Sequence, residues 1–564
     1  MHNTMLTTLS QAQLEAFYAD GHWRPDTIYT LVRGHAELAP DRVAVRDAVR
    51  AVTYRELIAA ADRLAAHLHG AGVREGQRVA AWLPSRVETA VVLLACSRDG
   101  YVCCPSLHRA HTVGEISELM DRMQAAVLVA QHEYGADANE KDIWRETAGL
   151  ESLRLTVRLD PIGLEANPVM LPELAPDAAE HPVRTDPNGI VYLAFTSGTT
   201  GQPKGVMHSD NTLLAPARAL SADWSLAEDM VVYSLSPLSH NLGFGAMVMA
   251  LARGGELVVH DLPRGKSLVD RLIETGTTFV FGVPTHAIDL LTELKQRGLA
   301  RMGKVRGFRV SGAPVPPVVA QGLLDHGVVP QSGYGMTEAG SHHYTLPDDD
   351  PEKIISSSGR ACAGYEVRVC SRDDPEAVLP PGEVGQICGR GAGLMLGYFD
   401  DQRATERAFS ADGWFITGDL GWMDAAGYLR ITGRKKDIII RGGHNIFPAH
   451  IENLALRNPV VDKAAVIPVA DERLGERVCL ALTLKPHQSL DVDDLLDHLY
   501  ESGLSKFDMP EYLLQLEQLP VGPSGKIIKR DLLEAVRNGD VRPLPVRFTP
   551  KSQRSGSAAS QKVT

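Results

Sequence analysis

A loop rich in glycine and hydroxyl side chains is the stretch of this sequence best suited to chemistry. Residues 196–206 read TSGTTGQPKGV, with three glycines, four hydroxyl residues and one lysine. They follow an apolar run, 190–195, that predicts a short buried strand. Backbone N–H groups and hydroxyls in such a loop can surround polyphosphate oxygens, because glycine allows close approach. The loop therefore predicts a polyphosphate site with Lys204 as a point charge; the plainer interpretation is a flexible turn.

The ordinary P-loop does not describe this stretch. A P-loop requires Gly-Lys followed at once by Ser or Thr. Here Lys204 precedes Gly205, and Val206 follows instead of a hydroxyl residue. If the loop binds phosphate, it is a loop of another kind, with candidate contacts at Thr196, Ser197, Gly198, Thr199, Thr200, Gly201 and Lys204.

Four further stretches carry side chains that could act on a nucleotide. Residues 334–338 read YGMTE, Asp419 and Arg434 stand in TGDLG and GRKKD, residues 441–448 read RGGHNIFP, and Lys526 stands in PSGK. Each has a plain structural interpretation. Taken singly, YGMTE could be a half-buried aromatic with a solvated carboxylate, and Asp419 could be a turn residue after glycine. Residues 441–448 could be a tight turn before a helix, and Lys526 could be a solvated lysine.

Taken together and in order, these stretches resemble the motifs of the adenylate-forming (ANL) superfamily. That superfamily includes acyl- and aryl-CoA synthetases, peptide-synthetase adenylation domains and firefly luciferases. The chain is most similar to its cyclohexanecarboxylate-CoA ligase and 2,3-dihydroxybenzoate-AMP ligase-like members. The resemblance implies an α/β fold, with a large multi-subdomain N-terminal AMP-binding domain of α/β layers plus a β-rich part and a small mobile α+β C-terminal domain. We place the domains at 1–433 and 434–545, followed by a disordered tail, 546–564.

The same resemblance implies roles for the nucleotide-binding residues. Tyr334 would stack on the adenine, Thr337 would contact the α-phosphate, and Glu338 would hold Mg²⁺, which prefers oxygen ligands and bridges phosphates. Asp419 would accept hydrogen bonds from both ribose hydroxyls, as an ionised carboxylate can, and Arg434 would donate to them. Further nucleotide contacts are implied for Ser311, Gly312, Ala313, Pro314, Gly335 and Met336.

For catalysis, the resemblance makes Lys526 the lysine that completes the site. A carboxylate that attacks the α-phosphate brings two anions together, and an ammonium there favours the transition state. Lys436 falls at the hinge position of the family. Gly442 and Gly443, in a loop similar to the GGxNIxP loop of CoA ligases, would let pantetheine approach the backbone.

The acid pocket is indicated by residues 237–241, PLSHN, which follow a predicted strand. The plain interpretation is a hydrogen-bonded His and Asn at the end of that strand. The resemblance instead implies that Asn241 reaches the substrate carboxylate and that the plane of the His240 ring borders the pocket, with Phe244, Gly312, Gly335 and Ala339 as further walls. Relatives often carry His two positions after His208, where this chain has Asp210. His342 and His343, beyond the magnesium motif, are weaker candidates for substrate contact.

We therefore predict a two-step acid–thiol ligase with ATP, Mg²⁺ and coenzyme A. ATP and a carboxylic acid give acyl-AMP and pyrophosphate, and coenzyme A then displaces AMP. The substrate is predicted to be an aromatic or alicyclic carboxylic acid. The alternatives are an aryl-acid AMP ligase that loads a carrier protein and a medium-chain fatty acid–CoA ligase. A luciferase-like oxidoreductase and a non-catalytic nucleotide-binding regulator are disfavoured.

Composition agrees with such an enzyme. The chain has 564 residues, a length that suggests two or more domains. Its content of 44% hydrophobic and 23% charged residues is ordinary for a globular protein. A net charge of −13 argues against nucleic-acid binding. Seven cysteines without CxxC spacing indicate neither zinc nor a disulfide framework. The N-terminal residues lack the pattern of a signal peptide, and apolar runs fall short of the ~18 residues that span a membrane. We expect a cytoplasmic protein, monomer or homodimer, without membrane partners.

Local patterns also predict secondary structure. A capping box at 53–56 begins a helix over 57–68, and 79–83 and 87–96 read as a strand and a buried helix. Further strands are predicted at 230–235, 257–260, 279–283 and 308–311, alternating with helices as in a parallel α/β layer. From residue 385 the pattern changes to short strands and turns, and a βαβ-like segment follows residue 437.

Overall fold

The computed structural model describes residues 8–162, 171, 181–196, 203–262, 265–312, 315–442, 444–522 and 527–549. The chain divides into two compact units, one of residues 1–367 with 389–415, the other of residues 368–388 with 416–564. The domain boundary that we predict after residue 433 remains a prediction. Of the predicted tail, residues from 550 onward lie outside the described part of the chain.

Helices form along the whole described chain. Their bounds are α1 Gln11–Ala19, α2 Ile28–Leu38, α3 Tyr54–Gly70, α4 Val87–Asp99, α5 Val113–Arg122, α6 Ile143–Thr147, α7 Asp210–Asp223, α8 Asn241–Ala252, α9 Leu268–Glu274, α10 Pro284–Arg297, α11 Pro317–Asp325, α12 Pro351–Ser356, α13 Gln402–Arg407, α14 Pro448–Ala455, α15 Val492–Glu501 and α16 Lys529–Asn538, with a short 3₁₀ helix Lys435–Asp437.

The strands alternate with these helices in the first two thirds of the chain. Their bounds are β1 Val43–Arg46, β2 Ala51–Thr53, β3 Arg78–Trp82, β4 Val102–Cys104, β5 Ala125–Gln131, β6 Leu155–Leu159, β7 Ile190–Thr196, β8 Lys204–Ser209, β9 Val231–Ser234, β10 Glu256–Val259, β11 Phe279–Gly282, β12 Gly307–Val310, β13 Val329–Met336, β14 Gly340–Tyr344, β15 Arg360–Ala361, β16 Tyr365–Cys370, β17 Gly385–Gly391, β18 Gly397–Phe399, β19 Phe415–Met423, β20 Leu429–Arg434, β21 Ile439–Arg441, β22 His444–Ile446, β23 Val461–Asp471, β24 Gly475–Leu484, β25 Tyr512–Gln515 and β26 Leu544–Pro545.

The first unit is built on two large sheets. A nine-stranded sheet has the order β15-β14-β13-β12-β11-β9-β10-β1-β2, and a seven-stranded sheet has the order β18-β8-β7-β4-β3-β5-β6. The central pairs are parallel, such as β9 with β10 and β3 with β5, whereas β8 closes one end of its sheet through antiparallel pairs with β7 and β18. Parallel strands joined through helices confirm the predicted α/β layers.

Helices α3, α4 and α8 lie in the core shared by the two sheets. The largest buried cluster joins their apolar residues to Val79 and Val127 of one sheet and to Val232 and Leu257 of the other. The start of α3 follows from its sequence, because the Thr53 side chain accepts a hydrogen bond from the Glu56 backbone N–H and Glu56 reciprocates. The predicted capping box and its helix are thus confirmed.

The second unit has an α+β fold, as predicted. A four-stranded sheet has the order β16-β17-β19-β20, and a six-stranded sheet runs β22-β21-β24-β25-β26 with β23 paired to β24. Strands β24 and β25 are parallel and are joined through α15, which is the predicted βαβ segment. Along β23, Val466 belongs to a cluster with α14 and α15, whereas Ile467 belongs to a cluster with α16, so alternate residues cover the two faces.

Candidate active site

The two strands that flank the predicted phosphate loop are paired. Strand β7 ends at Thr196 and β8 begins at Lys204, and these two residues lie opposite each other in antiparallel register. The Thr196 hydroxyl donates to the backbone oxygen of Lys204 at 3.4 Å. The ends of the loop therefore lie together, while five of its predicted phosphate contacts fall outside the described residues: Ser197, Gly198, Thr199, Thr200 and Gly201.

Tyr398 connects the predicted phosphate lysine to the predicted magnesium ligand. The Lys204 ammonium lies 4.7 Å from the centre of the Tyr398 ring, a cation–π contact. The Tyr398 hydroxyl donates to Oε1 of Glu338 at 2.9 Å. Burial, and then the charge of Glu338, raise the pKa of Tyr398, so it remains a donor at neutral pH. The structure thus joins a cation and a carboxylate, 134 positions apart in the sequence, through one aromatic ring.

The YGMTE motif lies at the turn of a β-hairpin. Strand β13 ends at Met336 and β14 begins at Gly340, and these residues pair. A Cβ on Gly335 would lie 2.3 Å from the backbone oxygen of Gly340, so the hairpin needs glycine there. Gly340 has φ +63°, a conformation that glycine adopts without strain. The hairpin presents Thr337 and Glu338 between its two strands.

His208 holds the hairpin from the phosphate-loop side. Its Nε2 lies 2.7 Å from the backbone oxygen of Thr337, and its Nδ1 lies 3.0 Å from the Thr212 hydroxyl. Because a carbonyl only accepts, Nε2 carries the proton. Burial lowers the pKa of His208 to about 4, so the ring is neutral. The strand after the phosphate loop therefore fixes the position of the predicted α-phosphate residue.

Tyr334 is buried among other rings. It lies edge-on to His342, with ring centres 5.0 Å apart, and the Ser311 hydroxyl donates to the oxygen of the preceding Gly333 at 3.0 Å. His342 and its neighbour His343 are themselves buried. Two predicted nucleotide contacts, Ser311 and Tyr334, thus lie on the adjacent segments that end β12 and β13. Gly312 is exposed at φ +89°, and Ala313 and Pro314 lie outside the described residues.

Helix α8 begins at the predicted acid pocket. His240 is its N-cap residue and Asn241 is its first residue. The Asn241 side-chain amide donates to the backbone oxygen of Met336 at 3.3 Å, which ties the helix to the YGMTE hairpin. Nε2 of His240 is buried and has no hydrogen-bond partner among the described residues.

A cavity of about 40 Å³ lies beside Asn241. Its walls come mainly from α7 and α8, and the side chains are largely apolar. The main contributors are Pro216 and Leu220 of α7, Asn241, Gly245 and Met249 of α8, and Phe281 of β11.

Two glycines of helix α8 differ in their surroundings, because only one of them lines the cavity. A Cβ on Gly245, which lines the cavity, would have no protein atom within 4 Å. A Cβ on Gly243 would lie 2.3 Å from the Pro237 oxygen and 2.4 Å from the Ser236 oxygen. Gly243 is therefore required for packing, whereas Gly245 leaves open space.

Other predicted pocket residues lie near the cavity but do not line it. Phe244 is fully buried, with its ring stacked on Tyr192 at 4.2 Å between centres. Ala339 is fully buried as well, and the cavity walls include neither of them, nor His240 or Gly335. Their roles in acid binding remain predictions.

In the second unit, the two predicted ribose residues form an ion pair. Asp419 and Arg434 lie opposite each other in the antiparallel pair of β19 and β20. Arg434 Nε lies 2.9 Å from Asp419 Oδ1, with Asp419 buried and the Arg434 side chain 40% exposed. A buried carboxylate with one oriented guanidinium can accept hydroxyl donors. Lys436, the predicted hinge, lies exposed in the 3₁₀ helix that follows β20.

The remaining predicted residues of this unit lie at turns. Gly442 has φ +59°, and its N–H donates to the Leu474 oxygen at 2.7 Å, so the turn after β21 uses a left-handed glycine. Gly443 and Lys526 lie outside the described residues. Val521 and Ile527, on either side of the predicted catalytic segment, pair in an antiparallel bridge.

Sequence reasoning missed Tyr398 and the apolar walls of the cavity. Tyr398 stands in LGYFD, which carries no motif of its own, and Leu220 and Met249 read as ordinary core residues. One signal was available, because Pro216 stands inside α7, where it removes a backbone donor and is costly. A proline in a helical run marks a position worth testing as a site wall.

Comparison with known proteins identifies the family. Residues 32–399 match the AMP-binding enzyme family, and residues 450–526 match the AMP-binding enzyme C-terminal domain. The chain belongs to the AMP-binding enzyme family. It is 33% identical to the medium-chain fatty-acid–CoA ligase of Escherichia coli strain K12 over 93% of this chain and 92% of that one. It is 32% identical to a feruloyl-CoA synthase of an Amycolatopsis species over 88% of this chain and 96% of that one.

A solved relative has a similar structure. The o-succinylbenzoate CoA synthetase of Bacillus subtilis, in complex with its acyl-adenylate intermediate, has a TM-score of 0.76 at 26% identity, over 89% of this chain and 97% of that one. This AMP-binding enzyme is an AMP-forming acid–CoA ligase that uses ATP, coenzyme A and a small carboxylic acid. The predicted family, fold class and reaction are confirmed. Within the described residues, no helix is long and apolar enough to cross a bilayer.

Proposed function

We propose that this ligase activates a ring-bearing acid, an aromatic or alicyclic carboxylate. The observation that carries the proposal is the cavity beside Asn241. It is small, with Phe281 and Pro216 among its walls and open space at Gly245. The ferulate and o-succinylbenzoate named for two relatives also contain aromatic rings. A medium-chain fatty acid is the second candidate, because the Escherichia coli relative is named for such acids.

The cavity must widen to admit a ring. An apolar cavity that binds benzene measures about 150 Å³, several times the 40 Å³ found here. Met249 is the wall best able to move, because an unbranched thioether side chain has several accessible rotamers. A long acyl chain would require a larger rearrangement, since Leu220 and Phe281 are bulky walls of the cavity.

In the first half-reaction, positively charged groups offset the repulsion between the acid carboxylate and the ATP phosphates. We assign Lys204 to the β- and γ-phosphates, Thr337 to the α-phosphate, and Lys526 to the charge that develops when the acid carboxylate attacks phosphorus. Tyr334 stacks on the adenine, and Asp419 with Arg434 holds the ribose hydroxyls. These assignments rest on the motifs and on the contacts of the described residues.

Glu338 is suited to hold Mg²⁺ with the triphosphate. Its Oε1 accepts from Tyr398, and no Lys, Arg or His among the described residues forms an ion pair with it. A carboxylate without a counter-ion has a negative charge available to attract Mg²⁺. Mg²⁺ commonly binds through one or two carboxylates plus phosphate oxygens. When bound, the ion would neutralise phosphate charge.

In the second half-reaction, coenzyme A displaces AMP. We assign Gly442 and Gly443 to the path of pantetheine and Lys436 to a hinge between the two half-reactions. The predicted cytoplasmic location and the monomeric or homodimeric state also remain proposals from the sequence.

The test is a panel of acids that includes benzoates, cinnamates, cyclohexanecarboxylate and saturated acids of six to twelve carbons. Each acid is incubated with ATP and Mg²⁺, either with coenzyme A or without an acceptor, while AMP release and thioester mass are followed. We expect coenzyme A-dependent AMP release, with the highest kcat/KM for a ring acid. Preference for an unbranched fatty acid would contradict the ring proposal and favour the second candidate.

A further inference from the structure

Two histidine rings stack at the start of helix α8. The centres of the His108 and His240 rings lie 4.0 Å apart and their planes differ by 15°. His108 comes from the turn between β4 and α5, and no motif marks it. Burial lowers the pKa of His108 to about 2 and that of His240 to about 4, so two neutral rings face each other without charge repulsion.

His108 is anchored from three sides. Its Nδ1 lies 3.0 Å from the Ser239 hydroxyl, and its backbone N–H donates to His111 Nδ1 at 3.1 Å. Its backbone oxygen accepts from Trp82 Nε1 at 3.2 Å. The ring that supports His240 therefore cannot shift without breaking contacts to β3, to its own turn and to the residue before His240.

The stack fixes the direction of His240 Nε2. Both ring nitrogens lie in the ring plane, and rotation about χ2 would break the parallel contact with His108. Nε2 is buried and has no partner among the described residues. A buried polar atom without a hydrogen bond is costly, which indicates that a ligand supplies the partner. The next residue, Asn241, lines the acid cavity.

We propose that His108 is a positioning residue for acid activation, which by stacking on His240 holds the unpaired His240 Nε2 toward the substrate carboxylate. This inference rests on the proposed function, in which the acid binds in the cavity lined by Asn241, the residue that follows His240. The flat face of His108 supplies the effect, and its hydrogen bond to Ser239 keeps that face in place.

The test separates the ring face from the hydrogen bond. His108→Leu removes the ring, His108→Phe keeps a flat ring without the hydrogen bond, and Ser239→Ala removes the hydrogen bond alone. We expect His108→Leu to raise KM for the acid about 10-fold, the scale of one lost hydrogen bond, with KM for ATP changed less than about twofold. His108→Phe should recover most of this loss, and Ser239→Ala, which keeps the ring and loses only the hydrogen bond, should raise KM for the acid no more than His108→Phe does.

A second stacked pair supplies the control. His69 and His181 stack at 4.3 Å and 14°, and His69 is exposed. His69→Leu should leave both KM values unchanged. The proposal is overturned if His108→Leu leaves KM for the acid unchanged, or if it raises both KM values together with no recovery in His108→Phe. A wild-type enzyme that releases no AMP with any acid would instead contradict the proposed function.

Discussion

In the first unit, several described site residues are held by the side chains of other residues, whereas in the second unit Arg434 is partly exposed and Lys436 and Gly442 are exposed. Lys204, Tyr398 and Glu338 form a continuous chain of contacts. His208 and Asn241 both form hydrogen bonds to backbone oxygens of the hairpin that carries the YGMTE motif. In the second unit, Asp419 is buried, but Arg434 is partly exposed and Lys436 is exposed.

This difference suggests a division of labour. Preorganised groups stabilise a transition state because they need no reorganisation when charge develops. The first unit supplies such groups, at the cost of burying polar and charged side chains. In the second unit, Arg434, Lys436 and Gly442 lie at a strand end or at turns, where we expect a change of position to cost less. We therefore expect variants of the first unit to alter stability together with function, and variants of the second to alter function alone.

The largest expected effect concerns a buried carboxyl of the first unit. Burial raises the pKa of Asp210 to about 6, although Oδ1 accepts from Ile28 N–H and the Ser97 hydroxyl. A raised pKa favours the folded state below the unfolded pKa near 4, and this advantage is lost as pH rises through 6. Asp210→Asn removes this titration, so the free energy of unfolding of the variant relative to wild type should rise by about 3 kcal/mol between pH 3 and pH 7.

Urea unfolding at several pH values measures this difference. Buried histidines such as His208 titrate in the same range, but they do so equally in both proteins. Asp493→Asn, at an exposed helix start of the second unit, is the control for the removal of a carboxylate that is not buried. A difference between Asp210→Asn and wild type that stays flat with pH would contradict the burial argument.

The next effect concerns Lys526 of the second unit. We expect Lys526→Ala to slow adenylation by ~10²-fold or more, the scale of losing one preorganised electrostatic group. Pyrophosphate exchange measures this step. Thioester formation from supplied acyl-adenylate should persist, and a purely electrostatic role predicts a melting temperature within about 1 °C of wild type.

Either of two results would break the comparison. A pyrophosphate-exchange rate within a few-fold of wild type would remove Lys526 from the first half-reaction. A large drop in melting temperature would show that this residue is a packing element, as in the first unit. Lys529→Ala, which loses an ion pair to Glu452 in the same unit, is the control for a general loss of charge.

A smaller effect is expected when the hydrogen bond from His208 to the Thr337 backbone oxygen is removed. His208→Leu leaves the Thr337 carbonyl without its donor and should raise KM for ATP about 10-fold while lowering stability by ~1–3 kcal/mol. His208→Asn, which can still donate, should lose less of both. Steady-state kinetics and thermal unfolding measure the two effects. A stability loss with unchanged KM would make His208 a core residue without influence on the nucleotide.

Sequence reasoning went far where a local pattern carries the information. The capping box at Thr53 and Glu56 and the strand–helix alternation predicted real elements, because hydrogen bonds within four residues and burial periods are local properties. The motif residues Asp419 and Arg434, both assigned to the ribose from the sequence, form an ion pair in the structure. Contacts between distant residues could not be predicted in this way. Tyr398 reaches Glu338 across 60 positions, and His108 meets His240 only because β4 and α8 converge in the fold.

The residues that line the cavity could not be predicted from the sequence either. Leu220 and Met249 carry the apolar character of any core residue, and only the packing of α7 against α8 decides that they face an open space. Gly243 and Gly245 are indistinguishable as letters in a helix. Their different environments follow from the Ser236 and Pro237 carbonyls, which approach one of them and not the other.

The smallest predicted effect uses this glycine pair to separate function from stability within the first unit. Gly245→Ala places a methyl group in open space, so it should raise stability by up to ~1 kcal/mol through helix propensity while raising KM for the preferred acid about fivefold, since a methylene in a pocket is worth ~1–3 kcal/mol. Gly243→Ala, the control, should lower stability because its Cβ meets two carbonyl oxygens. Thermal unfolding and acid kinetics on both variants decide the matter. If Gly245→Ala is more stable yet binds every acid as wild type does, the cavity is not the acid site, and the link between burial and function in this unit fails at that point.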